Sequence, residues 1–294
     1  MKIKLLTAIQ MKKILVYTYF DDQSKHSVNY SVEMALKENL GVEILHVINT
    51  AHYGPDFMST GDGFTGGESI STAIKENTVV SIKKFKEITD ELKQKYSQLP
   101  EIHTMLKTGI DTNAVIEETS NNEIMMLIFP GYGKSELFDF ITDIRPVVIS
   151  QAKCPVLLLP ENVVFKPFNS IVYVTDFERE DTDAFVKLAD IARPFGSTIF
   201  GLHVTDNNDF TEKINEEGFI SFIKEKSAYD HIELHSVSKR NIEQSILEYA
   251  MEKKADLIAV LRENKNFLEK IFVKSISKAI SKDSKLPVII FHKH

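Results

Sequence analysis

The chain has 294 residues, of which 43% are hydrophobic and 26% are charged, and its formal net charge is -7. This composition is that of a folded globular protein, long enough for two domains, and it excludes a disordered chain, a collagen and a coiled coil. The acidic balance also argues against a protein that binds nucleic acid by neutralising phosphates.

The chain opens with MKIKLLTAIQ, in which lysines precede a short apolar run without the cleavage site of a signal peptide. We expect residues 1–11 to be an N-terminal extension, with Met1 or Met11 as the true start. No stretch reaches the roughly 20 apolar residues that span a membrane. A single cysteine, Cys154, supports neither a disulfide nor a thiolate metal cage, so we expect a cytoplasmic protein and treat Cys154 as a buried apolar residue.

Hydrophobic periodicity then predicts strands and helices in strict alternation. The predicted strands of the first half are 13–19, 42–48, 102–107, 124–130 and 156–160, and the predicted helices are 25–39, 69–97, 112–121 and 137–152. The series restarts with strands at 170–175, 198–204, 232–237, 256–261 and 288–292, and with helices at 181–194, 211–228, 241–254 and 266–282. Such alternation indicates a parallel sheet with helices on its faces.

The two halves are copies of one pattern. Leu45-His46-Val47 aligns with Leu202-His203-Val204, and Cys154-Pro155-Val156 aligns with Leu286-Pro287-Val288. The fold class predicted is α/β, with two tandem doubly wound domains at 12–160 and 169–293, joined by a linker at 161–168. Each domain is expected to hold a five-stranded parallel sheet with helices on both faces.

The second copy is shorter between its second and fifth strands. We place most of the missing length opposite the glycine-rich segment 51–69 of the first copy, which is either a lid near a ligand site or a tolerated insertion. In open parallel sheets ligands bind outside the carboxyl ends of the strands, near the point where the strand order reverses. Residues directly after the strands are therefore the candidates for a site.

Three motifs recur in order: LHV closes the second strand, a glycine turn follows the fourth, and AKCPVLLLP surrounds the fifth. With this order and spacing the chain resembles a tandem universal stress protein over residues 12–293. The resemblance implies an adenine nucleotide alpha hydrolase-like, Rossmann-like fold. It also implies that the two copies pair through their fifth strands as an intramolecular pseudo-dimer. For members that bind ATP it implies an aspartate after the first strand, the valine of the HV pair, and a phosphate loop G-x-x-G-x9-G-[ST] after the fourth.

The first copy departs from that pattern. Tyr19 stands at the aspartate position, although Val47 is kept. The sequence GYGKS is no P-loop, because Ile128 occupies the place of the first glycine. Gly131, Gly133 and Ser135 are the remaining candidates for contact with an anion. The closing pair of the phosphate loop falls on Thr142-Asp143, where a carboxylate would repel phosphate.

The second copy keeps Asp176 and Val204, but residues 262–275 contain no glycine that would let the backbone approach phosphate closely. We therefore expect that the protein binds no cofactor. The alternative is that it binds ATP. We expect His46 and His203 to be core residues, and the pairs His231/His235 and His292/His294 to be surface residues. The sequence pattern indicates no catalytic nucleophile, no metal site and no general base.

These observations favour a non-enzymatic stress-response protein that acts through contacts with a protein partner not identified by the sequence. The alternative is an adenine-nucleotide sensor that retains ATP in one half, and a slow ATP hydrolase ranks last. Partners are expected to include neither nucleic acid nor a membrane, and a homodimer remains open.

Overall fold

The computed structural model describes residues 11–53, 66–130, 144–160, 163–176, 181–205, 210–238, 242–261 and 286–292. Strands and helices alternate in two series along these residues. The first series is β1 (Lys13–Tyr17), α1 (Asp22–Glu38), β2 (Gly41–Asn49), α2 (Gly66–Lys95), β3 (Ile102–Gly109), α3 (Asp111–Glu118), β4 (Ile124–Phe129), α4 (Arg145–Gln151) and β5 (Val156–Leu158). The second series is β6 (Ser170–Val174), α5 (Asp181–Ala192), β7 (Thr198–Thr205), α6 (Phe210–Ser227), β8 (Ile232–Ser238), α7 (Ile242–Glu252), β9 (Leu257–Leu261) and β10 (Val288–Phe291).

The ten strands form one sheet in the order β3-β2-β1-β4-β5-β10-β9-β6-β7-β8. Within each repeat every neighbouring pair of strands is parallel. The repeats join where β5 and β10 run antiparallel, with Ile289 opposite Leu157. The predicted α/β fold of two doubly wound halves is confirmed. Pairing these two apolar strands removes two edges that would otherwise offer unpaired backbone groups.

Helices cover the sheet on two faces, and each face has its own apolar core. On one face, Ile14 and Val16 of β1 pack with α1, α2, α5 and α6 in a core that continues across both repeats. On the other face, Leu15 and Tyr17 pack with α3, α4 and α7. Successive β1 residues thus point to opposite faces, and both are buried, as expected for a parallel strand covered by helices on both sides.

Several predicted boundaries in the first repeat were wrong, among them the end of the first strand and the start of the second helix. The first strand ends at Tyr17 rather than at residue 19, because the Tyr19 amide donates to Ser24 Oγ (2.8 Å) instead of joining the strand ladder. Helix α2 begins at Gly66, so its first turn takes in residues that we had assigned to the glycine-rich segment.

The length difference between the repeats does not lie in the glycine-rich segment alone. Helix α2 has 30 residues and its counterpart α6 has 18. A large part of the extra length of the first repeat is therefore helical and does not lie in a loop. Glycine-rich sequence alone does not reveal this, since glycine is acceptable in a first helical turn whose amides have no intrahelical partner.

The segment between the repeats packs against the sheet-covering helices. Phe165 lies edge-on to Tyr30 of α1, with ring centroids 5.2 Å apart, and also contacts Phe195 after α5 at 6.0 Å. The backbone carbonyl of Val163 bonds to the His26 ring. Residues 163–168 thus connect α1 of the first repeat to the end of α5 in the second.

Histidine placement agrees with one expectation and contradicts another. His231 is exposed, as predicted, but His292 is buried at 8% exposure. The His292 Nε2 lies 2.6 Å from the Ile149 carbonyl of α4, so this residue links the second repeat to the first. The prediction of a surface role for His292 was wrong because its alternation along β10 did not reveal that α4 covers that strand end. His294 and the predicted helix at 266–282 lie outside the described residues.

The only cysteine is shielded from solvent. Cys154 is 5% exposed, and burial raises the pKa of its thiol to about 12. Because the thiolate is the reactive species, we predict that a disulfide reagent at neutral pH modifies the native protein at least about 100-fold more slowly than the denatured protein. Absorbance of the released thiol measures both rates, and equal rates would contradict the buried position.

Among the described residues, no helix has the length and hydropathy needed to cross a bilayer.

Candidate functional site

The candidate sites lie at the carboxyl ends of the strands, where the chain diverges to the two faces. In the first repeat β1 lies between β2 and β4. The connection after β1 enters α1 on one face, whereas α4, which follows β4, packs on the other. In the second repeat β6 lies between β7 and β9 in the same way. Both repeats therefore have the crevice at which doubly wound folds bind ligands.

Aromatic side chains occupy this position in the first repeat. Tyr17, the last residue of β1, is 1% exposed, and its ring centroid lies 5.3 Å from that of Phe129 at the end of β4. Tyr19 meets Tyr17 edge-on at 4.8 Å and is itself 42% exposed. Burial raises the pKa of Tyr17, so its hydroxyl stays neutral. The three rings form an aromatic cluster, and Tyr19, its one exposed member, stands where the resemblance leads one to expect a carboxylate.

The loop after β1 is held by local hydrogen bonds. The Phe20 amide donates to Thr18 Oγ1 (3.0 Å), and the Ser24 amide donates to Asp21 Oδ1 (2.7 Å), which caps α1. Phe20 has a φ of 63°, a left-handed conformation that is unfavourable for a residue with a bulky side chain. Contacts of its ring with His46 (4.2 Å) and Phe85 (5.0 Å) hold it there.

His46 fixes the loop from the neighbouring strand. Its Nδ1 lies 2.8 Å from the Thr18 carbonyl, and since a carbonyl only accepts, Nδ1 carries the hydrogen. Burial lowers the pKa of His46, the hydrogen bond to Thr18 opposes this, and the nearby Lys84 ammonium lowers it further. His46 is thus a neutral, hydrogen-bonded structural residue, as expected for a histidine of the core.

The second repeat repeats the histidine contact but presents a carboxylate. His203 Nδ1 lies 3.0 Å from the Thr175 carbonyl and 3.8 Å from Asp176 Oδ1. The Asp176 side chain is 52% exposed, so its oxygens are accessible to a ligand. Val204 at the end of β7 is half-buried. This arrangement offers a hydrogen-bond acceptor beside a strand end, which suits the hydroxyl or amino groups of a nucleoside.

A buried acid supports the loop that carries Asp176. Asp181, the first residue of α5, is 3% exposed and accepts hydrogen bonds from Tyr173 Oη (2.7 Å) and Thr175 Oγ1 (2.8 Å). It also accepts from the Asp176 amide at 3.2 Å. The corresponding bond in the first repeat joins Tyr19 to Ser24. The helix residue that accepts this amide is therefore a carboxylate only in the second repeat.

The residues predicted from the sequence fall into three groups. Asp176 and Val204 lie at neighbouring strand ends of the second repeat. Val47 is 4% exposed, and its side chain packs in the core. Gly131, Gly133 and Ser135 lie outside the described residues. The positions proposed for the phosphate end of either crevice thus stay predictions.

Sequence reasoning missed several polar residues at these strand ends. Asn49 Nδ2 donates to Asp111 Oδ2 (2.9 Å), which ties the end of β2 to the start of α3. Arg145 at the start of α4 is 8% exposed, and its Nη1 lies 3.5 Å from the Pro130 carbonyl. Asp181 had a weak signal, since an acid in a first helical turn is a common helix start. Asn49 and Arg145 had none, because their partners are distant in the sequence.

The described residues contain no group of three or more histidine, cysteine or acidic side chains able to hold a metal ion. The chemistry available in this part of the chain is hydrogen bonding and aromatic contact at the first crevice, and hydrogen bonding by a carboxylate at the second.

Comparison with protein families identifies one matching model, described as the universal stress protein family, which covers residues 11–160 and again residues 167–292. A curated relative, the universal stress protein MJ0531 of Methanocaldococcus jannaschii, is 26% identical over 141 residues, which cover 43% of this chain and 83% of that protein.

One solved structure shows the same architecture over nearly the whole chain. A universal stress protein of Archaeoglobus fulgidus superposes with a TM-score of 0.60 at 17% identity, over 97% of both chains. A second protein from that organism was solved in complex with dAMP. It is 16% identical and covers 42% of this chain and 98% of its own, with a TM-score of 0.34.

Proposed function

The chain belongs to the universal stress protein family, and we propose that it is a non-enzymatic, cytoplasmic member that acts through contacts with other proteins and holds ATP in neither repeat. The observation that carries this proposal is the half-exposed Tyr19, which packs edge-on against the buried Tyr17 at the crevice of the first repeat and stands where the resemblance implies an aspartate. A phenol ring in place of a carboxylate removes the charged acceptor for a ribose or adenine group.

The second repeat supports the proposal from the phosphate side. Residues 262–275 follow β9 and contain no glycine. Without glycine, side chains keep the backbone amides from the close approach that a phosphate cradle requires. Asp176 remains available at the other end of the crevice, so the second repeat keeps one half of a nucleotide site.

That retained half favours a second candidate function, the binding of an adenine nucleoside or nucleotide by the second repeat alone. It is favoured by the exposed Asp176 carboxylate beside His203 and Val204. Hydrolysis ranks below both candidates, because neither strand-end arrangement among the described residues places a general base or a metal-binding carboxylate pair.

The test is a thermal unfolding series with millimolar ATP and magnesium, with AMP, and without ligand. A ligand at 100 times its Kd stabilises the folded state by about 2.7 kcal/mol, which moves the midpoint by several degrees in a protein of this size. We predict a shift below about 1 °C for ATP, because a weakly bound ligand at about its Kd contributes only a few tenths of a kcal/mol.

Two variants separate the candidates. Asp176→Ala removes the exposed carboxylate of the second crevice, and Asp183→Ala is the control, since Asp183 is an exposed acid on the same helix as Asp181. If ATP or AMP raises the unfolding midpoint clearly, and this shift is lost in Asp176→Ala but kept in Asp183→Ala, the second proposal replaces the first. Two molecules of ATP per chain, measured by calorimetry, would overturn both.

A further inference from the structure

The first crevice has an exposed aromatic ring and an exposed aliphatic side chain at neighbouring loops. Tyr19, after β1, is 42% exposed, and its ring meets the buried Tyr17 edge-on at 4.8 Å. Ile110, after β3, is 50% exposed and directly precedes α3, which begins at Asp111. Exposed tyrosines of this kind are enriched where one protein contacts another.

Tyr17 is a neighbour that Tyr19 and Asp111 share. Burial raises the pKa of the Tyr17 hydroxyl most, and the adjacent Tyr19 hydroxyl and Asp111 carboxylate raise it further, so both groups lie near this ring. Only β2 separates β1 from β3, so the axes of these two strands are about 10 Å apart. The Tyr19 ring and the Asp111 carboxylate therefore border one surface at the carboxyl end of the sheet.

The Asp111 carboxylate is hydrogen-bonded, but its charge is not balanced. Its Oδ2 accepts from Asn49 Nδ2 at 2.9 Å, and its Oδ1 accepts from the Thr112 amide at 2.8 Å. Both donors are neutral, and Asp111 makes no ion pair with any residue that the structure describes. Because a carboxylate offers about four acceptor positions, each oxygen can take one further hydrogen bond.

The described cations of this region are engaged elsewhere. Lys107 of β3 pairs with two acidic residues of α3. Arg145 is 8% exposed, and its Nη1 lies 3.5 Å from the Pro130 carbonyl. Lys84 lies over an aromatic ring that packs in the core of the opposite face of the sheet. The charge of Asp111 is therefore open to a cation from outside the chain.

We propose that Tyr19 and Asp111 form a docking site for an arginine side chain of a partner protein. The guanidinium donates to the two Asp111 oxygens, and the side chain lies against the Tyr19 ring. Ile110 adds an apolar contact at the edge of the site. This inference rests on the proposed function, since it locates at the first crevice a protein contact of the kind that the function requires.

The chemistry of the site favours arginine over other groups. A guanidinium is planar, so it can stack on a ring and pair with both oxygens of a carboxylate, whereas the lysine ammonium is a compact and strongly hydrated charge. A phosphate or a carboxylate would be repelled by Asp111. The formal net charge of -7 also favours association with a basic partner.

The experiment is an NMR titration of the isotope-labelled full chain with the peptide acetyl-Ala-Arg-Ala-amide. One arginine side chain is expected to bind with a Kd of about 1 to 10 mM. The amide resonances of Tyr19, Ile110 and Asp111 should shift and saturate together. The same peptide with citrulline, which has the shape of arginine without its charge, should bind at least 10-fold more weakly, and the lysine peptide several-fold more weakly.

Variants locate the contact. Asp111→Asn and Tyr19→Ala should each weaken binding of the arginine peptide at least 5-fold, whereas Tyr19→Phe keeps the ring and should bind normally. Asp22→Asn is the matched control, because Asp22 is an exposed acid in the first turn of α1 in the same repeat. It should leave the Kd unchanged. Far-UV circular dichroism and the thermal midpoint establish that each variant is folded.

Three results would overturn the proposal: no shift at these resonances up to about 20 mM peptide, equal binding of the citrulline peptide, or equal weakening by Asp111→Asn and Asp22→Asn. If these arise while ATP also leaves the unfolding midpoint unchanged, only the arginine site fails and the proposed function stands. If ATP raises the midpoint while the arginine peptide still binds at Tyr19 and Asp111, the proposed function fails and the site stands.

Discussion

Replacing Asp181 with alanine should lower the free energy of unfolding by about 3 kcal/mol, because it removes a buried acceptor shared by three donors. The Tyr173 hydroxyl, in a fully buried side chain, and Thr175 Oγ1 would each lose a bond of under 3 Å. A buried polar group left without its bond costs about 1 to 3 kcal/mol. Urea unfolding followed by circular dichroism measures the change.

Asp183→Ala is the matched control. Asp183 lies in the same first turn of α5 and is exposed, so its removal takes away a similar interaction with the helix dipole without disturbing the buried hydrogen bonds. We expect a loss of less than about 1 kcal/mol in this variant. If both variants lost the same stability, the helix dipole and not the buried network would be the source.

Replacing Glu38 with glutamine should make the protein more stable at alkaline pH. Glu38 is the last residue of α1, and burial raises the pKa of its carboxyl to about 8. Its Oε1 accepts no hydrogen bond from the part of the chain that the structure describes. The folded state therefore holds this proton more tightly than the unfolded state, in which the pKa is about 4.5.

The sign of the pH dependence follows from that difference. As the pH rises above the unfolded pKa, the unfolded state ionises while the folded state stays protonated, so stability falls until the folded pKa is passed. Between pH 6 and pH 8 the loss from Glu38 should be about 2 kcal/mol. The Glu38→Gln protein should lack this decrease, whereas Glu252→Gln, at an exposed position on α7, should keep it. Parallel pH profiles for wild type and Glu38→Gln would contradict the prediction.

The sequence was a good guide to the fold and a partial guide to the site. Alternating strands and helices, written twice, predicted the two doubly wound halves, because each element buries a face whose period appears in the sequence. Asp176 and Val204 were placed correctly at strand ends of the second repeat. The same reasoning missed Asn49 and Arg145, whose partners come from other elements, and did not use the helix-start signal of Asp181.

The sequence by itself determined the architecture, the equivalence of the two repeats and the absence of a carboxylate at Tyr19, since these follow from residue type and local periodicity. Only the tertiary structure decided that the rings of Tyr17, Tyr19 and Phe129 meet at one crevice, that His292 is buried beneath α4, and that none of residues 70–80 of α2 is buried. These properties depend on which distant segments meet across the sheet. A local pattern carries no information about a contact between residues that are far apart in the chain.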